Sequence, residues 1–283
     1  MLVDVEVADL VGTITLNRPD SRNALSAEVT AALDAAIADL DARPDVGCMV
    51  LTGADPAFCA GFDLRSLSTE LRSDQQNRQR SPLRHLGLVP EHETPIIGAI
   101  NGAAVTGGLE LALSCDFLIA SERARFADTH VRVGVLPGGG MTIRLPQLIG
   151  IDRARRMTYT GDFIDASTAL AWGLVVEVVP HDVLLGRTHE IAATIAAIPG
   201  DTIRNVRRLY DEIGGLTGRE AWLSESRQSR EWMERRFDQS RLATEREAII
   251  ARGRSQAGTG SRTVGAGGDG GMGTGSGVVG PPA

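Results

Sequence analysis

The segment that most restricts the fold runs Asn101-Gly102-Ala103-Ala104-Val105-Thr106-Gly107-Gly108-Leu109-Glu110-Leu111-Ala112-Leu113. It follows Pro95–Ile100, a short apolar run that reads as a buried strand, and it opens through a turn of small residues into an apolar helix from about Gly107 to Ser114. A strand feeding an apolar helix is compatible with an α/β chain. The two glycines leave N–H groups free at the helix start, where they and the positive end of the helix dipole can meet a developing oxyanion. Glu110 sits in the first turn between Leu109 and Leu111. A carboxylate there is either a helix-start charge turned to solvent or, if buried, a proton carrier.

The chain before this segment supplies a matching frame. Val3–Ala8 and Val11–Leu16 are β-branched runs separated by Asp9-Leu10, the pattern of a hairpin. Val29, Leu33, Ile37 and Leu40 recur at helical spacing, with Ser26 as the N-cap and Pro44 as the stop. Val46–Leu51 is a buried strand ending at Thr52-Gly53, and Phe117–Ala120 and Val175–Val179 are two more. Leu71 to Arg84 is polar without a clear period, either a surface helix or a loop. Beyond Leu136 helices dominate. Asp201 to about Arg254 reads as charged helix, with Trp222, Trp232, Met233 and Phe237 as candidate anchors for a partner or for the chain's own surface. After Gln256 the chain turns to Gly, Ser, Thr and Pro; such a tail is expected to be disordered, because it buries too little apolar area to offset its ordering entropy.

Charge and cysteine content exclude several functions. With 36 acidic against 29 basic residues and a formal charge of −7, and with the basic residues scattered, no nucleic-acid stripe is present. Every basic residue is Arg, so Schiff-base catalysis is excluded and a phosphate must be held by Arg, His or backbone N–H groups. Cys48, Cys59 and Cys115 lack metal-type spacing and sit in apolar contexts, which suits reduced thiols in a cytoplasmic protein. Met1 to Leu10 has no signal-peptide pattern, and no run is long and apolar enough for a membrane span.

Two further segments carry candidate chemistry. Ala57-Phe58-Cys59-Ala60-Gly61-Phe62-Asp63-Leu64 follows a strand, and its small residues let backbone N–H groups face a ligand; an ordinary strand-to-helix turn would look the same. Phe126-Ala127-Asp128-Thr129-His130 offers Asp128 and His130 as proton carriers, ahead of a glycine-rich loop, Gly138-Gly139-Gly140, and a helix beginning near Met141.

In order and spacing these three segments, with Leu16-Asn17-Arg18-Pro19 and Asn23-Ala24-Leu25 upstream, closely resemble the crotonase (enoyl-CoA hydratase/isomerase) family from about Val3 to Arg254. The resemblance implies a spiral of ββα units over residues 1–200, a helical trimerisation region over 201–256 and a tail over 257–283 outside the family pattern. It implies an acyl-CoA thioester substrate, a homotrimer or hexamer, and no metal or cofactor beyond the CoA that enters with the substrate. By position, the backbone N–H groups of Phe62 and Gly107 match the oxyanion hole around the thioester carbonyl. Arg22, Ala24, Ala60, Asp63 and Leu64 match the CoA-binding residues, with Arg252 and Arg254 near the nucleotide as a weaker match. Glu110 matches the first of the two hydratase carboxylates, and Gly138 a backbone donor that helps place the water. At the second carboxylate position this chain carries His130, a side chain that serves as a base near neutral pH. The leading expectation is hydration of a 2-enoyl-CoA to a 3-hydroxyacyl-CoA. Isomerisation, thioester hydrolysis or decarboxylation on the same oxyanion hole is the alternative, and a non-catalytic RNA-binding member is a weaker one. Aromatic dehalogenation is disfavoured, because Gly138 stands where that branch has its nucleophilic Asp.

Overall fold

The computed structural model describes residues 1–63, 87–236, 246, 247, 249–252 and 254. The readings made for Leu64, for Leu71 to Arg84, for Phe237 and for the tail lie outside the described residues. The chain divides into two compact units, Met1–Thr217 and Gly218–Ala283.

The first unit begins as its sequence pattern dictates. Strands β1 (Val3–Ala8) and β2 (Val11–Leu16) pair antiparallel, Val3 opposite Leu16 and Ala8 opposite Val11. Asp9 and Leu10 between them both have positive φ, 50° and 65°, the backbone sense that matches the twist of a two-residue hairpin. Helix α1 (Ala27–Asp41) starts where Ser26 accepts a hydrogen bond from Val29 N, and it buries Val29, Leu33, Ala36, Ile37 and Leu40.

Strand β3 (Cys48–Gly53) is buried along its whole length. Met49 and Leu51 face the core that includes the α1 residues, while Cys48 and Val50 pack with Leu184, Ala192 and Ala196 of the helix Leu184–Ala196. Cover on both faces explains why the strand is apolar without alternation. The main sheet continues through β5 (Ile96–Ile100), β7 (Phe117–Ser121) and β10 (Glu177–Val179), all parallel, in the order β1-β2-β3-β5-β7-β10.

A second sheet was not apparent from the sequence. It contains β4 (Ala57–Cys59), β6 (Ala103–Val105), β8 (Arg125–Ala127) and β9 (Ile164–Asp165), in that order, the first three parallel. The chain passes three times from a long strand of the main sheet to a short strand of this one: β3 to β4, β5 to β6, β7 to β8. After the second passage it enters α2 (Gly107–Leu113), and after the third α3 (His130–Val133). This is the expected ββα spiral, and it brings the C-terminal ends of β4, β6 and β8 side by side.

Helices α4 (Met141–Ile149), α5 (Ile151–Thr160), α6 (Ala166–Trp172), α7 (Leu184–Ala196) and α8 (Gly200–Ile213) complete the unit. Helix α8 lies beyond the expected boundary at residue 200, yet it belongs to this unit. Arg204 donates to Thr94 Oγ1 at 3.0 Å, and Arg207 pairs with Asp116 at 2.9 Å and donates to the His92 carbonyl at 2.6 Å. The second unit contains α9 (Gly218–Arg236), on which Trp222 and Met233 are exposed and Trp232 is half-buried. No helix among the described residues is long and apolar enough to cross a membrane.

Candidate active site

The site forms where β4, β6 and β8 end. The chain leaving β4 is held by Leu25, which forms a parallel bridge with Phe62: Leu25 N donates to Gly61 O at 2.8 Å and Asp63 N donates to Leu25 O at 2.9 Å. This bridge uses the groups on either side of Phe62 and turns the Phe62 N–H the other way, toward the start of α2. A methyl group on Gly107 would lie 3.4 Å from the Phe62 nitrogen and 2.8 Å from its ring, so the two segments are in close contact and a side chain here would displace the Phe62 ring. The two expected oxyanion donors are thus neighbours.

Thr106, just before α2, has φ 53° and ψ −111°, a strained conformation for a β-branched residue that costs on the order of 1–3 kcal/mol. It is held there by Thr106 N donating to Ala127 O at 2.8 Å and by the Thr106 and Thr129 hydroxyls at 2.5 Å. The strain fixes the direction of the Gly107 N–H.

Glu110 is buried, with 1% of its surface exposed, so the solvent-facing reading of this carboxylate is wrong. Oε1 accepts hydrogen bonds from Gly139 N at 2.7 Å and Met141 N at 3.3 Å, both at the glycine-rich entry to α4. Oε2 lies 3.7 Å from His130 Nε2. A methyl group on Gly139 would fall 2.9 Å from that Oε2 and 2.8 Å from Leu88 Cγ, so a side chain here would push one or both aside. Gly138, expected to help place a water, is exposed beside this clamp.

The His130 ring is buried and held from behind. Its Nδ1 is 2.6 Å from Asp128 Oδ1, which also accepts the His130 backbone N–H at 3.2 Å, while Asp128 Oδ2 accepts from the Thr158 hydroxyl at 2.7 Å. Burial of Asp128 opposes its ionisation, but these hydrogen bonds outweigh it and hold the carboxyl below its ordinary range.

Arg22, Ala24, Ala60 and Asp63, the described members of the expected CoA set, are tied to one another around the turn that precedes α1. Ala60 N donates to the Arg22 carbonyl at 3.0 Å, and the Asp63 carboxylate pairs with Arg18 at 3.4 Å. Arg18 also donates to Ala24 O at 2.8 Å. Asn23 is buried and pins this turn through its amide, which donates to Ala54 O and Ala57 O at 2.8 and 2.7 Å. Arg22 is exposed. The Cys59 thiol lies beneath the loop, and burial pushes it up to about 12, which rules it out as a nucleophile at neutral pH.

Sequence reasoning missed four contributors: Gly139 and Met141 as donors to Glu110, Thr158 as the support of Asp128, and Arg18 as the link between Ala24 and Asp63. Gly139 stands in a visible glycine run. Thr158 carried no signal, since it meets Asp128 only through the packing of α5.

Comparison with known proteins identifies the family of the chain. The chain matches the model of the enoyl-CoA hydratase/isomerase family over residues 6–233. A Mycobacterium tuberculosis protein named a probable enoyl-CoA hydratase is 38% identical over 200 residues, 71% of this chain and 77% of that one. The crystal structure of an enoyl-CoA hydratase from Mycobacterium smegmatis is similar with a TM-score of 0.68 and 46% identity, covering 83% of this chain and 99% of that one. An enoyl-CoA hydratase from Bacillus anthracis gives a TM-score of 0.78 at 31% identity, covering 90% and 97%. The chain belongs to the enoyl-CoA hydratase/isomerase family, the crotonase family that its motifs resemble.

Proposed function

We propose that this protein adds water to 2-enoyl-CoA thioesters, giving 3-hydroxyacyl-CoA, with Glu110 and His130 as its proton carriers. The observation that carries this reading is the buried Glu110 carboxylate, clamped by two backbone N–H groups and facing His130 Nε2 across 3.7 Å. That gap is too wide for a hydrogen bond and suits a group that both side chains can reach.

Hydration needs one proton stored on the pair before substrate arrives. A water oxygen bonds to C3 while Glu110 takes its proton, and His130 Nε2 delivers a proton to C2. The negative charge that develops on the thioester oxygen is met by the Phe62 and Gly107 N–H groups, fixed in place before the reaction. Transfer of the proton from Glu110 back to His130 restores the pair, so the net change is one water added.

CoA lies along Arg22, Ala24, Ala60, Asp63 and Leu64, with Arg22 toward a phosphate and Gly138 near the water. The reaction calls for proton carriers and fixed N–H donors, with no resident metal or redox group; CoA arrives with the substrate. The protein works as a homotrimer or hexamer in the cytoplasm. Support for assembly comes from large apolar side chains left on the surface of the first unit, among them Leu136 (90% exposed), Tyr159 and Phe163. Support for a reducing compartment comes from the three buried free thiols.

Replacing Glu110 tests the site. Glu110→Gln keeps shape and removes the proton acceptor, so turnover of 2-enoyl-CoA should fall at least about 10²-fold while affinity for the ester stays within a few-fold. Near-normal turnover would remove Glu110 from this role. Light scattering should give a trimer or hexamer; a clean monomer at micromolar concentration would contradict the assembly.

A further inference from the structure

Asp128 takes no part in the steps above, and its side chain is fully buried between the ring it holds and the Thr158 hydroxyl. We infer that Asp128, locked by Thr158, is a positioning residue that keeps the hydrogen of His130 on Nδ1, so that Nε2 alone carries the exchanged proton toward Glu110 and the substrate. This rests on the hydration reading, which gives Nε2 its task.

Three donors converge on the Asp128 carboxylate from two elements. Oδ1 receives the His130 ring and the His130 backbone N–H, and Oδ2 receives Thr158 from α5. Rotating the carboxylate would break all three bonds at once. An ionised carboxylate only accepts hydrogen bonds, so Nδ1 must bear hydrogen whether the ring is neutral or charged. The proton that comes and goes is therefore the one on Nε2, the nitrogen that faces Glu110 Oε2. A neutral imidazole with its hydrogen on Nε2 would present a donor where the cycle needs the atom to alternate.

The test uses the full chain. Asp128→Asn should lower kcat for 2-enoyl-CoA hydration at least tenfold, the scale on which a group orienting a reacting histidine acts, with KM changed less than about threefold. In a His130→Ala background the same substitution should cost no further rate, because its effect passes through the ring. Nitrogen NMR of neutral His130 should find the hydrogen on Nδ1 in the wild type and moved toward Nε2 in Asp128→Asn. Thr158→Val, which keeps the aspartate, should lower kcat a few-fold and provides the test if Asp128→Asn does not fold. If His130→Ala hydrates as fast as wild type, the functional reading fails and this inference with it. If His130→Ala is slow while Asp128→Asn and Thr158→Val leave kcat and tautomer unchanged, only the positioning role is overturned. An equal rate loss from Asp128→Asn with and without His130 would also overturn it.

Discussion

Asp128 holds His130 at 2.6 Å, and elsewhere in the first unit Asp55 holds His181 at 2.9 Å. The second pair even has a serine: Ser121 Oγ lies 3.0 Å from His181 Nδ1, completing the residue set of a hydrolytic triad. That set is inert by its surroundings. Ser121 is sealed from solvent and its Oγ already accepts the Arg123 backbone N–H at 3.1 Å, so no substrate can reach it. Both ring nitrogens of His181 are occupied by the protein, and the Asp55 side chain is 59% exposed. His130 differs at one atom: its Nε2 faces a buried carboxylate across a distance that no protein bond closes. A histidine does chemistry through the nitrogen its own fold leaves open, and the identity of its partners alone does not reveal it.

The sharpest way to break this contrast is to remove each ring in turn. His130→Ala should lower hydration by about 10²-fold or more, the usual scale of general acid–base catalysis, whereas His181→Ala should leave kcat unchanged. Steady-state assays of both variants decide it, and an equal loss from His181→Ala would erase the distinction. Gly139→Ala comes next. The added methyl would lie 2.9 Å from Glu110 Oε2 and 2.8 Å from Leu88 Cγ, so one or both must move, and kcat should fall about tenfold or more. A crystal structure of that variant with Glu110 unmoved and full activity would show that the clamp is dispensable.

Much of this was legible beforehand, in uneven amounts. Val29, Leu33, Ile37 and Leu40 announce α1 because a long amphipathic helix repeats its signal several times. Strands β4, β6 and β8 have three residues each, too few for any period, and Ala103–Val105 reads locally as a turn of small residues. They exist because neighbouring turns of the spiral supply their hydrogen bonds. The pairing of Glu110 with His130 came from the resemblance alone, since the two lie on different elements. Asp128 was visible two residues from His130, but its role depends on Thr158, which only tertiary packing brings near.

The smallest expected effect concerns acid stability. In Asp55, burial opposes ionisation, but hydrogen bonds from Asn101 and His181, with the charges of His181 and Arg123, hold its carboxyl below the ordinary range. A carboxyl lowered on folding stabilises the native state above its ordinary value near 3.8, and that stability is lost as pH falls through the lower folded value. Because the Asp55 side chain is mostly exposed, Asp55→Asn should change stability by no more than about 1 kcal/mol at neutral pH and less still below pH 3. Thermal melts of the two proteins between pH 6 and pH 2 test this. A gap that widened on acidification would reverse the sign.

The most direct measurement of the central claim follows the fate of the substrate itself. Wild-type protein incubated with straight-chain 2-enoyl-CoA esters in oxygen-18 water should yield 3-hydroxyacyl-CoA with the label on the C3 hydroxyl and with no free CoA thiol. Release of thiol, or formation of an unlabelled 3-enoyl-CoA, would contradict hydration and assign the same oxyanion hole to hydrolysis or isomerisation.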